Sequence, residues 1–133
     1  MNRELVALDT NVIVRFLMAD DPAQARRAKA LIAAGPVWVT STVLLECEWV
    51  LRSGYGCTSQ DIADHLLAFL GLPQVQMAEP EAVSESLNGY RAGLDFADAL
   101  HLALSGPATQ FASFDRKLVK KAGSLQTRKL RLP

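Results

Sequence analysis

Short apolar runs alternate with longer stretches of helical spacing along this chain, a rhythm that predicts strands separated by helices. Leu5 to Leu8 is an apolar run ending at Asp9, and NVIVRFL follows it, a strand entering a helix. Asp21-Pro22-Ala23-Gln24 combines an N-cap, a proline at the first helical position and a glutamine able to close a capping box. A helix therefore runs from Pro22 to Ala34, and Gly35-Pro36 stops it. Pro36 to Val39 predicts a buried strand; Thr40 to Thr42 then caps a helix reaching Ser53 before Gly54. Thr58, with Asp61 three residues on, caps another that Gly71-Leu72-Pro73 ends. Val75 to Met77 predicts a short strand, Pro80 to Ala92 a helix, and Asp95 the cap of a helix through Ser105. After Gly106-Pro107, Gln110 to Ser113 is a strand leading to Asp115, followed by a short basic helix and an edge strand between Ser124 and Leu132. Strands spaced by helices pair in parallel, so the prediction is an α/β fold with a helix-covered sheet.

Length and composition narrow this. At 133 residues, half of them hydrophobic and 21% charged, the chain reads as one globular domain. No apolar run approaches the roughly 18 residues a membrane helix needs, and acids stand where a secretory signal would place its apolar stretch. A soluble, cytoplasmic protein is expected. Cys47 and Cys57 are too few and too irregularly placed for a disulfide framework or a zinc cluster, so both read as reduced thiols. Net charge is zero, yet seven of the fourteen Lys and Arg lie from Arg116 to Arg131, and no acid follows Asp115. One basic end beside acids suits a polyanion approaching a metal; a solvated, repelling tail is the plainer account.

Four acids, Asp9, Glu46, Asp98 and Asp115, each fall where a strand ends or a helix begins. Carboxylates gathered at the carboxyl edge of a parallel sheet repel one another and raise one another's pKa unless a divalent cation sits among them. Taken alone, each has a simple structural role. Asp9 and Asp115 suit helix N-caps, and Asp95 with Asp98 suits the cap and acidic third position of one helix, whose N-terminal dipole favours anions. On the helix STVLLECEWVLR, Val43, Leu44, Cys47, Val50 and Leu51 form the core stripe, with Glu46 on one margin and Glu48 on the other. Periodicity does not choose between these two glutamates. Leu45 and Trp49 lie one turn apart on the side away from the core, a pairing typical of a subunit or partner contact. His101 follows Asp98 by one turn, but no second His or Cys sits at ligand spacing, so it reads as structural or substrate-side.

LDTNVIVRFL, STVLLECEWVL, FADALHLA and FASFDRKL, in that order and spacing, resemble the acidic motifs of PIN-domain ribonucleases, and most closely those of VapC-like toxins of bacterial toxin/antitoxin pairs. The resemblance covers nearly the whole chain. It implies a three-layer α/β/α sandwich with a central, mainly parallel sheet of four or five strands. It also implies a Mg²⁺- or Mn²⁺-dependent endoribonuclease acting on RNA, a homodimer, and inhibition by a small cognate antitoxin. By position, Asp9, Glu46, Asp98 and Asp115 match the four acids of the family pattern, which selects Glu46 over Glu48. Asn11 and Ser41 match polar positions that support the first two acids, and Ser113 stands where Thr is commoner.

That chemistry is self-consistent. A phosphodiester repels nucleophiles through its own charge, and hard cations held by carboxylates neutralise that charge and acidify a bound water. Asp9 and Asp98 are the expected principal ligands, Glu46 a ligand or general base, and Asp115 a second-shell or second-metal ligand. Products with 5′-phosphate and 3′-hydroxyl ends are implied by the resemblance. Arg15, Arg116, Lys117, Lys120 and Lys121 are candidate phosphate guides. Two other classes compete: a phosphoaspartyl enzyme, in which Asn11 occupies the place of a needed acid, and a non-catalytic RNA- or protein-binding module of the same fold.

Overall fold

The computed structural model describes residues 4–133, which divide into two compact units, one ending at Pro80 and the other running from Glu81 to Pro133.

The first unit alternates strand and helix: β1 (Val6–Ala7), α1 (Thr10–Met18), α2 (Pro22–Ala34), β2 (Val37–Trp38), α3 (Ser41–Ser53), α4 (Ser59–Leu70) and β3 (Val75–Gln76). The three strands form one parallel sheet in the order β1-β2-β3, with Val6 opposite Val37 and Val37 opposite Val75. Capping side chains start the helices where the sequence places them. The Asp21 carboxylate accepts from Gln24 N–H at 3.1 Å, Thr40 Oγ1 from Val43 N–H at 3.2 Å, and Thr58 Oγ1 from Asp61 N–H at 3.2 Å. Each cap satisfies a helix N–H that has no partner within the helix, and losing one costs about 1 kcal/mol. At the end of α2, Gly35 leaves room for Gln74, whose Cβ would lie 2.6 Å from any Cβ at that position. Ile13, Ile32, Val37, Leu44, Leu51, Ile62 and Leu66 are fully buried, and the Phe16 and Phe69 rings pack at 5.6 Å.

The second unit comprises α5 (Pro80–Arg91), α6 (Phe96–Ala103), β4 (Gln110–Ala112), α7 (Arg116–Ala122) and β5 (Lys129–Arg131). β4 and β5 pair in parallel, Gln110 opposite Lys129 and Ala112 opposite Arg131. Its core joins Leu94, Ala99, Leu102, Leu118 and Ala122, with Phe111 and Leu130 packed against them. Gly93, at φ 115°, makes the turn between α5 and α6 in a conformation that other residues rarely adopt.

The α/β class and the parallel pairing are as expected; among the described residues the five strands form a three-stranded and a two-stranded sheet in place of the one central sheet expected. One local expectation fails. Gln24 does not close a capping box; its side-chain oxygen accepts from Arg15 Nε at 2.7 Å. Among the described residues no helix is long and apolar enough to cross a membrane, and both cysteines are free thiols.

Candidate active site

Two of the four acids meet in the first unit through a single threonine. Asp9 has extended backbone (φ −82°, ψ 162°) and caps α1, its Oδ1 accepting from Thr10 N–H at 2.7 Å. Glu46 stands in the second turn of α3, not at a helix start as the sequence reading has it, and its Oε1 accepts from the Thr10 hydroxyl. Thr10 is buried, so it holds both carboxylates against a fixed point. Asn11 and Ser41, expected to support these acids, make no hydrogen bond to either; Asn11 lines the cavity beside them and Ser41 is the first residue of α3. The threonine was legible only as the residue after Asp9.

Asp9, Glu46 and Thr10 open onto a cavity of about 280 Å³ that Asn11, Val14, Arg15, Val50 and Tyr55 complete. Its electrostatics are read from Cys47, the next residue along α3. Burial pushes the Cys47 thiol up to about 12, and the charges of Glu46 and Asp9 push in the same direction. Among the described residues no Lys or Arg pairs with Asp9 or Glu46. Arg15 lines the same cavity, but its Nε and Nη1 are engaged elsewhere. Nη1 reaches Asp20 Oδ1 at 3.0 Å, Asp20 Oδ2 at 3.2 Å and Tyr55 Oη at 3.0 Å, and Nε reaches Gln24 at 2.7 Å. Tyr55 in turn donates to Asp20 Oδ2 at 2.7 Å. The candidate phosphate guide is thus a clamped side chain, and neither Tyr55 nor Asp20 carried any signal in the sequence.

The two glutamates of α3 differ in burial and partners. Glu48 is 5% exposed and bound to Arg52 Nε at 2.8 Å, one turn along the helix, whereas Glu46 lies on the exposed margin of α3. On the same helix Trp49 is 58% exposed and Leu45 half-buried.

The second unit holds the other acids at two helix starts. Asp95 caps α6, Oδ1 accepting from Asp98 N–H at 3.1 Å, and Asp115 caps α7, Oδ1 accepting from Leu118 N–H at 3.0 Å. Ser113 Oγ accepts from the Asp115 backbone N–H at 3.0 Å. Partial burial pushes the Asp98 carboxyl above its ordinary value; Asp95 and Asp115 push it further, and His101 opposes them. Arg116, Lys117, Lys120 and Lys121 are exposed on α7, and Phe114, which precedes Asp115, is 84% exposed.

These donors are carboxylate oxygens, which fit Mg²⁺ or Mn²⁺ and not a soft ion. Among the described residues no group of three or more His, Cys, Asp or Glu stands close enough to enclose an ion. Mg²⁺ binds through one or two carboxylates and keeps its remaining waters, and the Asp9 and Glu46 pair at an open cavity fits that mode.

In this parallel α/β chain one helix-capping acid, Asp9, shares an open cavity with Glu46. The PIN domain family matches the chain over residues 6–126, a span that contains all four acids. The chain belongs to the PIN domain family, a superfamily of nucleases whose members typically use divalent metals. No curated protein and no solved structure matches it significantly.

Proposed function

We propose that this protein is a Mg²⁺- or Mn²⁺-dependent endoribonuclease of the cytoplasm, the VapC-like toxin of a type II toxin/antitoxin pair, with Asp9, Glu46, Asp98 and Asp115 as its working acids. The observation that carries the reading is the Asp9 and Glu46 pair at one cavity, with no Lys or Arg among the described residues paired to either, in a chain belonging to a nuclease family. A binding module gains nothing from holding two carboxylates together in that way. The alternative, a non-catalytic RNA- or protein-binding PIN module, is the weaker for that reason.

By the family resemblance, Asp9 and Asp98 are assigned as ion ligands, Glu46 as a ligand or general base, and Asp115 as the ligand of a second ion or a support to the first. When bound, the ion would lower the pKa of a coordinated water and neutralise charge on the phosphate. The residues of the chain do the rest. Thr10 fixes Asp9 and Glu46 by donating to both. With Glu46 as the general base, it takes the proton as the water oxygen adds to phosphorus; the P–O3′ bond breaks, and the departing oxygen is protonated from solvent. Arg116, Lys117, Lys120 and Lys121 supply positive charge for a phosphate backbone, and Phe114 an exposed ring on which an unpaired base can stack. That combination favours single-stranded RNA.

The full chain, incubated with a single-stranded RNA oligonucleotide and Mn²⁺, should yield fragments with 5′-phosphate and 3′-hydroxyl ends, and chelation should stop the reaction. Cleavage that persists in Asp9→Asn refutes the site. The toxin reading predicts growth arrest on expression, relieved by a small protein from the neighbouring reading frame. A homodimer through the face bearing Trp49 and Leu45 is part of the same proposal, tested by sedimentation of Trp49→Glu, which should be monomeric.

A further inference from the structure

The cavity that holds Asp9 and Glu46 also contains an arginine that does not touch them. Arg15 follows Asn11 by one turn on α1, so it shares the face that carries Asn11 and the cavity. Side chains on a helix lean toward its N-terminus, here toward Asp9. An unrestrained guanidinium at that position would extend toward two carboxylates that no cation among the described residues pairs with, the partner it prefers.

Three other segments hold it back. Asp20 takes Nη1 on both of its oxygens, at 3.0 and 3.2 Å; Gln24, in the first turn of α2, takes Nε at 2.7 Å; and Tyr55, beyond the end of α3, takes Nη1 at 3.0 Å. Tyr55 closes the group by donating to Asp20 at 2.7 Å. Ala19 ends α1 in the left-handed conformation, φ 54°, uncommon for a residue other than glycine, and Asp20 follows directly. Gln24 also leaves the capping box it could have closed in order to reach Arg15.

We infer that Asp20, Tyr55 and Gln24 form a clamp that keeps Arg15 from pairing with Asp9 and Glu46, so that these carboxylates remain available to a divalent cation. Asp20 and Tyr55 are positioning residues: they act on the ion only through Arg15. The inference rests on the metal-dependent reading above and adds to it the device that protects the ion's ligands from the chain's own charge.

The test is Mn²⁺ binding to the full chain without RNA, measured by calorimetry for wild type, Asp20→Asn, and Asp20→Asn with Arg15→Gln. Releasing Arg15 in Asp20→Asn should raise the Mn²⁺ dissociation constant about fivefold, the strength of a solvent-accessible ion pair. Removing the guanidinium in the double variant should restore it. Wild-type affinity in Asp20→Asn, or no restoration in the double variant, overturns the clamp while leaving the metal-dependent reading intact. Absence of Mn²⁺ binding by wild type overturns that reading instead. A metal-free measurement then decides the clamp alone. The Arg15 Nε–Hε resonance should ignore Glu46→Gln in the wild-type background and shift with it in Asp20→Asn; the same response in both backgrounds overturns the inference. Where Asp20→Asn lowers the thermal midpoint, Tyr55→Phe, which deletes one hydroxyl, carries the same comparison.

Discussion

The two acidic regions manage like charge in opposite ways. In the first unit Thr10 donates to both Asp9 and Glu46, and the arginine of the same cavity is fastened to Asp20. In the second, Asp95 and Asp115 are committed to helix N–H groups, while Asp98 is partly buried and its carboxyl is pushed up. An aspartate at a helix start is ordinarily a cap, and Asn serves there about as well. The contrast teaches that capping geometry does not mark a site; carboxylate charge in excess of what the cap needs does.

The largest effect follows from that distinction. Asp9→Asn keeps the cap and removes the charge, so cleavage of an RNA oligonucleotide should fall on the order of 10³-fold, the scale of losing several kcal/mol of transition-state stabilisation. Its thermal midpoint should stay near wild type. Asp98→Asn should behave alike, whereas Asp95→Asn, a cap by position, should retain most activity. Equal losses in Asp95→Asn and Asp98→Asn would erase the distinction between cap and site.

Glu46 and Glu48 offer the same contrast within one helix. Glu46→Ala should abolish cleavage at little cost to folding. Glu48→Ala should leave cleavage in place and lower unfolding stability by about 1–3 kcal/mol, because it removes a charge-assisted hydrogen bond to Arg52. Denaturant melts beside cleavage assays separate the two, and a stability loss in Glu46→Ala as large as in Glu48→Ala counts against the assignment.

This pair also shows where sequence reading stops. Periodicity put both glutamates at the margins of the core stripe, and only family resemblance chose between them. The structure shows how their surroundings differ: Arg52, four residues after Glu48, lets that carboxylate be buried, while Glu46 has a threonine from another element. Helices were legible because caps and periodicity are local; Asp21, Thr40, Thr58 and Asp95 all start helices as read. Thr10, Asp20 and Tyr55 were not, since their roles depend on contacts across 36, 5 and 40 positions that no local pattern encodes. Gln24 was misassigned for the same reason, its local partner outcompeted by Arg15.

A smaller effect belongs to the second unit. Phe114 exposes a ring beside four cations, so Phe114→Ala should weaken single-stranded RNA binding by about 1–3 kcal/mol, one base-stacking contact. KM should rise with kcat nearly unchanged, and Phe114→Trp should recover the loss. Mn²⁺ affinity should not move in either variant; if it does, Phe114 shapes the acid positions and is not a stacking surface.

The smallest effect returns to the first unit. The Tyr55 hydroxyl, more than the Arg15 charge, holds the Asp20 carboxyl below its ordinary value, against a smaller opposing push from burial. A carboxylate with a depressed folded pKa adds stability that is present above its unfolded pKa and is lost as pH falls through the folded one. Tyr55→Phe removes the main cause, so the Asp20 pKa should move up toward the ordinary carboxylate value and the acid-side loss of stability should begin at a higher pH. Carbon-detected titration of the Asp20 carboxyl reads the shift directly. An unmoved Asp20 would mean that Arg15 alone sets its charge, in which case Tyr55 is a bystander in the cavity. The first unit would then differ from the second only in having a threonine between its acids, and no longer in having a clamped arginine secured from two sides.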